Sequence, residues 1–325
     1  MIRVIRRLVL VAVVTAPLGA VTARAQVPQG ITLRIDNDAF DFWMQPYNRP
    51  DDEYTSGVRL TYDGAVSPWW FWSFLSGGPA CAYRTQDCRT ARAELGQDIY
   101  TPSTSVNEPR PSATSRANGG WLYIAHTARA LRTARADEFT VTLGVTGSPS
   151  LARFTQDIVH NILPEFNRPT DWARQIRFEP GAVLGYAHHE RIADLELGPI
   201  GFDMLPSLSV EAGNVATRAT AELRSRLGWH VPHPWLPTKA PASIVVSAGV
   251  MGHAVARDIF LDGNTIDPQY RVGHEPFVGS GEASVELRVL AFSASYRVVT
   301  DSRAYPAGPK WHPWASLIGG VTFAR

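Results

Sequence analysis

Three short clusters hold the residue types that hydrolytic chemistry needs. The first is Asp36-Asn37-Asp38 and the second is Asp51-Asp52-Glu53-Tyr54-Thr55-Ser56-Gly57. The third is the pair Gln156 and His160, four residues apart. An imidazole can take a proton from water as a general base. Carboxylate and amide oxygens can hold a hard cation such as calcium, which would stabilise an oxyanion. Each cluster also has a plainer reading. Asn and Asp favour turns, so composition alone makes the first cluster a turn. The second is equally a solvated loop, although a hairpin would bring its hydroxyls and carboxylates beside the first. A histidine on a helix is most often a surface or packing residue, and spacing alone does not join the three. No Gly-x-Ser-x-Gly elbow, Walker motif or His-Glu-x-x-His helix occurs in the chain.

The elements that must position these residues are mostly strands. Ile31, Leu33 and Ile35 alternate with Thr32, Arg34 and Asp36, and Val58, Leu60 and Tyr62 alternate with Arg59, Thr61 and Asp63. The same period recurs at Phe139, Val141 and Leu143, at Val285, Leu287 and Val289, and at Leu317, Gly319, Val321 and Phe323. Each strand therefore has one apolar and one polar face. A soluble sandwich would bury the apolar faces, whereas a membrane barrel turns them to lipid and lines its lumen with polar groups. Strands of about ten residues, the length a tilted transmembrane strand needs, favour the barrel. So do the Arg and Glu residues repeated on the polar faces. Trp121 with Tyr123, Trp229, and Trp311 with Trp314 stand near strand ends, where interfacial aromatic girdles occur. The expected fold is all-β, an antiparallel outer-membrane barrel of about twelve strands.

One segment breaks the period of two. Residues 148–164 read as a helix, with Ser148 as N-cap, Pro149 at the first helical position and Pro164 as the stop. Leu151, Phe154, Ile158 and Ile162 recur on one face, while Gln156 and His160 stack on another. The barrel is thus expected to carry a short extracellular-loop helix.

The first residues read as an export signal. Arg3, Arg6 and Arg7 precede an apolar run at 8–14, and Ala23-Arg24-Ala25 supplies a small-x-small cleavage pattern. Residues 1–25 are then a signal peptide and residues 26–325 the barrel. No later apolar run reaches eighteen residues, which excludes a helical membrane span there. The formal net charge of +1 gives no electrostatic bias toward nucleic acid. The two cysteines, Cys81 and Cys88, match no zinc or redox motif, and an exported chain can pair them as a loop disulfide.

Taken in order, several short stretches resemble the outer-membrane lipid A 3'-O-deacylase family across nearly the whole exported chain. They are Asp36-Asn37-Asp38, residues 54–59 (Tyr-Thr-Ser-Gly-Val-Arg), 96–102 (Gly-Gln-Asp-Ile-Tyr-Thr-Pro), 120–123 and 143–147. The Gln156/His160 segment, residues 172–180 and Leu261-Asp262-Gly263-Asn264 complete the series. The resemblance implies a twelve-stranded barrel in the outer membrane of a Gram-negative bacterium, its site lying between the wall and a loop helix on the extracellular side. It implies calcium-dependent release of the 3'-linked acyloxyacyl group of lipid A, in a mechanism like that of secreted phospholipase A2; separately, the chain is expected to act as a monomer. Carried over by motif, His160 becomes the general base and Gln156 its neighbour. Asn37 and Asp38 take the cation and oxyanion position, Thr55 stands close by, and Glu165 is a further acidic site residue beside the metal. The chain departs from the family where relatives show Asp-Arg-Pro-Tyr-Ala-Gly-Trp and it has Ser115-Arg116-Ala117-Asn118-Gly119-Gly120-Trp121. Asp171-Trp172 likewise replaces a Gly-Trp. Neither change removes a proposed site residue, but both leave room for another acyl position or glycolipid. The competing readings are a non-enzymatic pore or structural barrel, and a phospholipase-type esterase.

Overall fold

The computed structural model describes residues 28–40, 53–64, 80–83, 85–102, 114–162, 172–238 and 242–324. The signal segment, Asp51, Asp52 and Glu165 lie outside them. Thirteen strands form one antiparallel sheet: β1 (Pro28–Asn37), β2 (Glu53–Gly64), β3 (Asp87–Thr101), β4 (Gly119–Arg132), β5 (Arg135–Thr146), β6 (Pro180–Glu190), β7 (Ala193–Leu197), β8 (Ile200–Gly213), β9 (Ala216–Trp229), β10 (Ala242–Asp258), β11 (Phe277–Val289), β12 (Phe292–Ser302) and β13 (Trp311–Ala324). β6 and β7 pair with successive halves of β8 and are separated only by Arg191 and Ile192, so together they make one wall strand. The sheet closes through β1 and β13, from Pro28 opposite Ala324 to Asn37 opposite Ala315. The result is a closed twelve-stranded barrel with no free edge, as a spanning sheet in lipid requires. Wall strands run from ten residues in β1 to seventeen in β10, so some extend past the length needed to cross the membrane.

The start of β1, the end of β13 and the two-residue turns at 133–134 and 290–291 lie at one mouth. β3, β5 and β10 end at the other mouth, from which the longest connection, 147–179, departs, and the rule that extracellular loops are the longer ones makes it the extracellular end. Cys81 and Cys88 are disulfide-bonded at the terminal end and pack against Leu131 and Ala136. Trp235 and Leu236, from the β9–β10 connection, cover that cluster.

The outer wall is apolar and the lumen is charged. Ile31, Leu33, Leu60, Leu95, Ile124, Leu143, Val246 and Leu287 all face outward and are exposed. Inside, Asp36 is 0% exposed and accepts hydrogen bonds from Arg34 Nε (2.7 Å), Tyr54 Oη (2.8 Å) and Ser316 Oγ (2.6 Å). Arg59 bridges Asp36 and Asp98, meeting the latter at 2.6 Å. Gly57 lies beneath this group, and a Cβ there would stand 2.0 Å from Tyr54 Oη. Asp203 is held in the same way by Arg191 and Arg226, and Glu282 by Arg224 and Arg297.

The aromatic girdle needs correction. Trp229 and Trp311 are exposed, as lipid-interface residues would be, but Trp121, Tyr123 and Trp314 are buried inside the barrel. Trp121 stacks on Tyr123 and packs with Ile176, Val183, Val215 and Phe260 in an interior cluster. Glycines make the space: a Cβ at Gly96 would strike the Tyr123 ring, and one at Gly181 would strike Trp121. β4 carries large apolar side chains on both faces, so its sequence does not show which alternate residue faces lipid.

Arg59→Met would leave Asp36 and Asp98 without their shared cation. Breaking a buried pair in this way costs about 3–5 kcal/mol. Urea unfolding in detergent should show that loss, whereas Arg153→Ala, on the exposed pair with Asp157, should stay within about 0.5 kcal/mol of the parent.

Candidate active site

After β5 the chain turns sharply at Gly147 (φ 72°), where a Cβ would lie 2.4 Å from the Phe178 backbone nitrogen. A short 3₁₀ turn, Ser148–Ser150, follows, then Leu151 in the left-handed region (φ 60°) and helix α1 (Ala152–Ile162). The helix therefore begins later than its Ser-Pro start suggests. Pro149 and Ser148 shape the preceding turn, and the Leu151 carbonyl accepts the Thr155 N–H at 2.9 Å. The reason is Gly147, whose positive φ bends the chain against residues 177–178 before the helix can start.

α1 lies on the outer face of the barrel, against β3 and β4. Gly120 makes this contact possible, because a Cβ there would stand 2.1 Å from Ser150 Oγ and 2.4 Å from Ala152 Cβ. Gln97, on the outer face of β3, donates Nε2 to the Ser150 carbonyl at 2.6 Å. Ala152, Gln156 (4% exposed) and His160 (3%) form the buried face of α1. Leu151 (53%), Phe154 (62%) and Ile158 (41%) face away from the wall. The helix is thus turned with its site residues inward and its apolar stripe outward.

The wall beneath carries the other site residues. Asn37 pairs with Ser56, Ser56 with Ile99, and Ile99 with Gly120, so these four form one row across β1 to β4. Asn37 alternates with lumen-facing Asp36, which places the two on opposite sides of β1. Its Oδ1 accepts the Ala39 N–H at 2.8 Å, so the turn expected from composition is present as well. Asp38 opens a 3₁₀ turn, Asp38–Phe40, that packs on β2 and β13. Thr55 sits at a bulge in β2, and its hydroxyl lies 2.5 Å from that of Thr101. Thr101 shares the outer face of β3 with Gln97 and Ile99. Asp36 and Glu53 leave the first two clusters for the lumen, where Glu53 takes hydrogen bonds from Arg116 and Tyr305.

Sequence reasoning assigned no role to Gln97, Thr101, Gly120 or Ser150. The alternation of Gln97, Ile99 and Thr101 against Asp98 and Tyr100 was the available signal. It also assigned none to Glu179, which accepts from the Thr265 N–H (2.8 Å), Thr265 Oγ1 (2.5 Å), Asn214 Nδ2 (2.7 Å) and Asn264 Nδ2 (3.2 Å). Asn264 also bonds the Arg177 N–H and carbonyl, both at 3.0 Å, so residues 172–180 are clasped to the β10–β11 connection with its short helix α2 (Ile259–Asp262). The departing segment at 115–121 is structural: Arg116 lies over the Tyr100 ring, and Asn118 exchanges backbone hydrogen bonds with Arg174 and Ile176. Burial alone would raise the Glu179 carboxyl, but its hydrogen bonds from Thr265, Asn214 and Asn264 outweigh that and hold it below the usual range.

As for a metal, the described residues include no group of three His, Cys, Asp or Glu placed to hold an ion. Asn37, Asp38 and Thr55 offer only oxygen donors, the class that suits a hard cation and not zinc.

Gly120→Leu should lift α1 from an intact barrel. Overpacking costs of about 1–3 kcal/mol predict roughly ten- to hundredfold faster amide exchange over residues 152–160. Unchanged exchange would mean that the glycine is not what seats the helix. The clasp should depend on pH with a defined sign. Because the Glu179 carboxyl is depressed in the folded state, its contribution is present above the ordinary carboxylate pKa and is lost as pH falls through the lowered value. Exchange protection at 177–179 and 264–265 should fall on acidification, and Glu179→Gln should abolish that dependence.

The family model described as outer membrane protein LpxR matches residues 8–323. Among solved structures, LpxR from Salmonella typhimurium superimposes with a TM-score of 0.73 at 16% identity, covering 90% of this chain and 100% of that one. The β domain of the Bordetella autotransporter BrkA gives 0.44 at 9% identity, covering 92% and 99%. The translocator domain of NalP from Neisseria meningitidis gives 0.43 at 10% identity, covering 93% and 89%. A search of curated proteins finds no match. The closed barrel and the extent of the family match place the protein in the outer membrane, and the chain belongs to the LpxR outer membrane protein family.

Proposed function

We propose that the protein is a lipid A deacylase that hydrolyses the ester of the 3'-linked acyloxyacyl group, acting as a monomer. One observation carries this reading: an imidazole and an amide are buried on the wall-facing side of a helix outside the barrel. Polar groups on a lipid-facing surface are costly unless they serve a site. The row from Gly120 to Asn37 spans three strand spacings, roughly 14 Å. From Ala152, which lands on Gly120, to His160 the helix rises about 12 Å. These lengths allow His160 to reach the Asn37 and Thr55 end of the row.

In this reading His160 takes a proton from a water molecule as that water attacks the ester carbonyl carbon. The tetrahedral intermediate then collapses by breaking the bond between the acyl carbon and the sugar oxygen. The proton passes from His160 to that oxygen, releasing the free acid and a sugar hydroxyl. Gln156, one turn before His160, orients the water or the carbonyl. Thr55, fixed by Thr101, shapes the floor. Asp38 and the Asn37 carbonyl would hold calcium, with Glu165 as a further ligand, and the bound cation would supply positive charge to the developing oxyanion.

Purified protein in detergent with calcium should shorten lipid A by one acyloxyacyl unit, read by mass spectrometry. His160→Ala should slow this about 10²–10⁴-fold, the usual worth of a positioned base. Chelation should stop the reaction and calcium restore it. Intact lipid A with wild-type protein would overturn the reading, and cleavage of phospholipid instead would reassign it to a phospholipase.

A further inference from the structure

α1 presents three distinct faces. Ala152, Gln156 and His160 meet the wall, whereas Arg153 and Asp157 are exposed on one flank, 3.8 Å apart, with Asn161 beside them. Phe154 and Ile158 form the third face, with Leu151 exposed just ahead of the helix, and no described part of the protein covers them. On a helical projection this apolar face is nearly opposite the wall and about 100° from the polar flank.

We propose that α1 is an interfacial membrane helix, with Leu151, Phe154 and Ile158 seated among the acyl chains of the outer leaflet and Arg153 and Asp157 at headgroup level. The cleft beneath α1 then opens sideways to lipids lying in the membrane. This last consequence rests on the deacylase reading, but the seating of the helix does not.

The occupant is fixed by continuity with the lipid-facing wall. Leu95, Ile124 and Leu143 face outward, are exposed and share one register row across β3, β4 and β5. That row lies four residues from Gly120 along β4, roughly 13 Å of strand. A helix about 10 Å across that sits on Gly120 reaches about 5 Å toward that row, and the outward-facing, half-buried Leu122 occupies the remainder, so the apolar face of the helix continues the apolar belt. The polar flank and apolar face, side by side and both clear of the wall, match the division an interfacial helix needs. Eleven residues are also too few for a helix that is stable by itself in water, so burial on both sides accounts for its persistence.

Spin labels test this directly. Phe154→Cys, Ile158→Cys, Asp157→Cys and the belt reference Ile124→Cys would each carry a nitroxide in the full chain, where both native cysteines are already disulfide-bonded. In vesicles of phosphatidylethanolamine and phosphatidylglycerol, labels at 154 and 158 should collide with oxygen in preference to a soluble nickel chelate, as at 124. The label at 157 should show the reverse. Water-like behaviour at 154 and 158 would overturn the proposal, as would dipolar broadening between labels at 154, which would mean that a second copy covers the face. Phe154→Ser with Ile158→Ser should slow hydrolysis of lipid A in vesicles about tenfold or more, yet change it less than about twofold in mixed micelles. Membrane-like labels without hydrolysis by the wild type would sink the deacylase reading alone. Water-like labels with normal hydrolysis would sink this proposal alone.

Discussion

Closure of the sheet in a lipid environment is the constraint on which everything else depends. A spanning barrel must satisfy its backbone within the wall and turn apolar side chains outward, which leaves charge for the lumen. The lumen accepts that charge only where carboxylates and guanidinium groups neutralise one another. Asp36 with Arg34 and Arg59, and Asp203 with Arg191 and Arg226, show how it is done. Interior polarity is therefore ordinary here. Polarity on the outer wall is the exception that needs an explanation.

Apart from Asp137, Tyr186 and His188, which meet on the outer face near the terminal mouth, the exception centres on one place. On the outer face of the first strands stand Asn37, Thr55, Gln97 and Thr101, and α1 closes over part of that surface with its own polar face inward. A glycine at 120 and a side-chain amide at 97 hold the helix down, while the Glu179 clasp fixes the chain that returns from it. The site is consequently an added layer outside a self-sufficient barrel. It can vary in its covering segments while the wall stays unchanged.

Much of this was legible in the sequence. Period-two patterning gave the barrel, its approximate strand number and its polar lumen, because lipid outside and charge inside impose that period. Helical spacing found α1 and separated its two faces. Other features could not be read from the sequence. Alternation says that Trp121 and Leu122 face opposite ways, but only closure and the space left by Gly96 and Gly181 show which one is inside. The helix start was misplaced because Ser-Pro is a good local signal, and the tertiary contact of Gly147 overrides it. The row from Asn37 to Gly120 depends on strand register, which no local pattern in the sequence encodes.

The central claim is that the helix and the wall form one site. A double-mutant cycle on turnover tests this most directly, using Asn37→Ala, His160→Ala and the pair together. If the two act on one reacting ester, each single change should slow hydrolysis strongly, and the double should be little slower than the worse single. Fully multiplicative losses, or normal turnover by Asn37→Ala, would contradict a shared site.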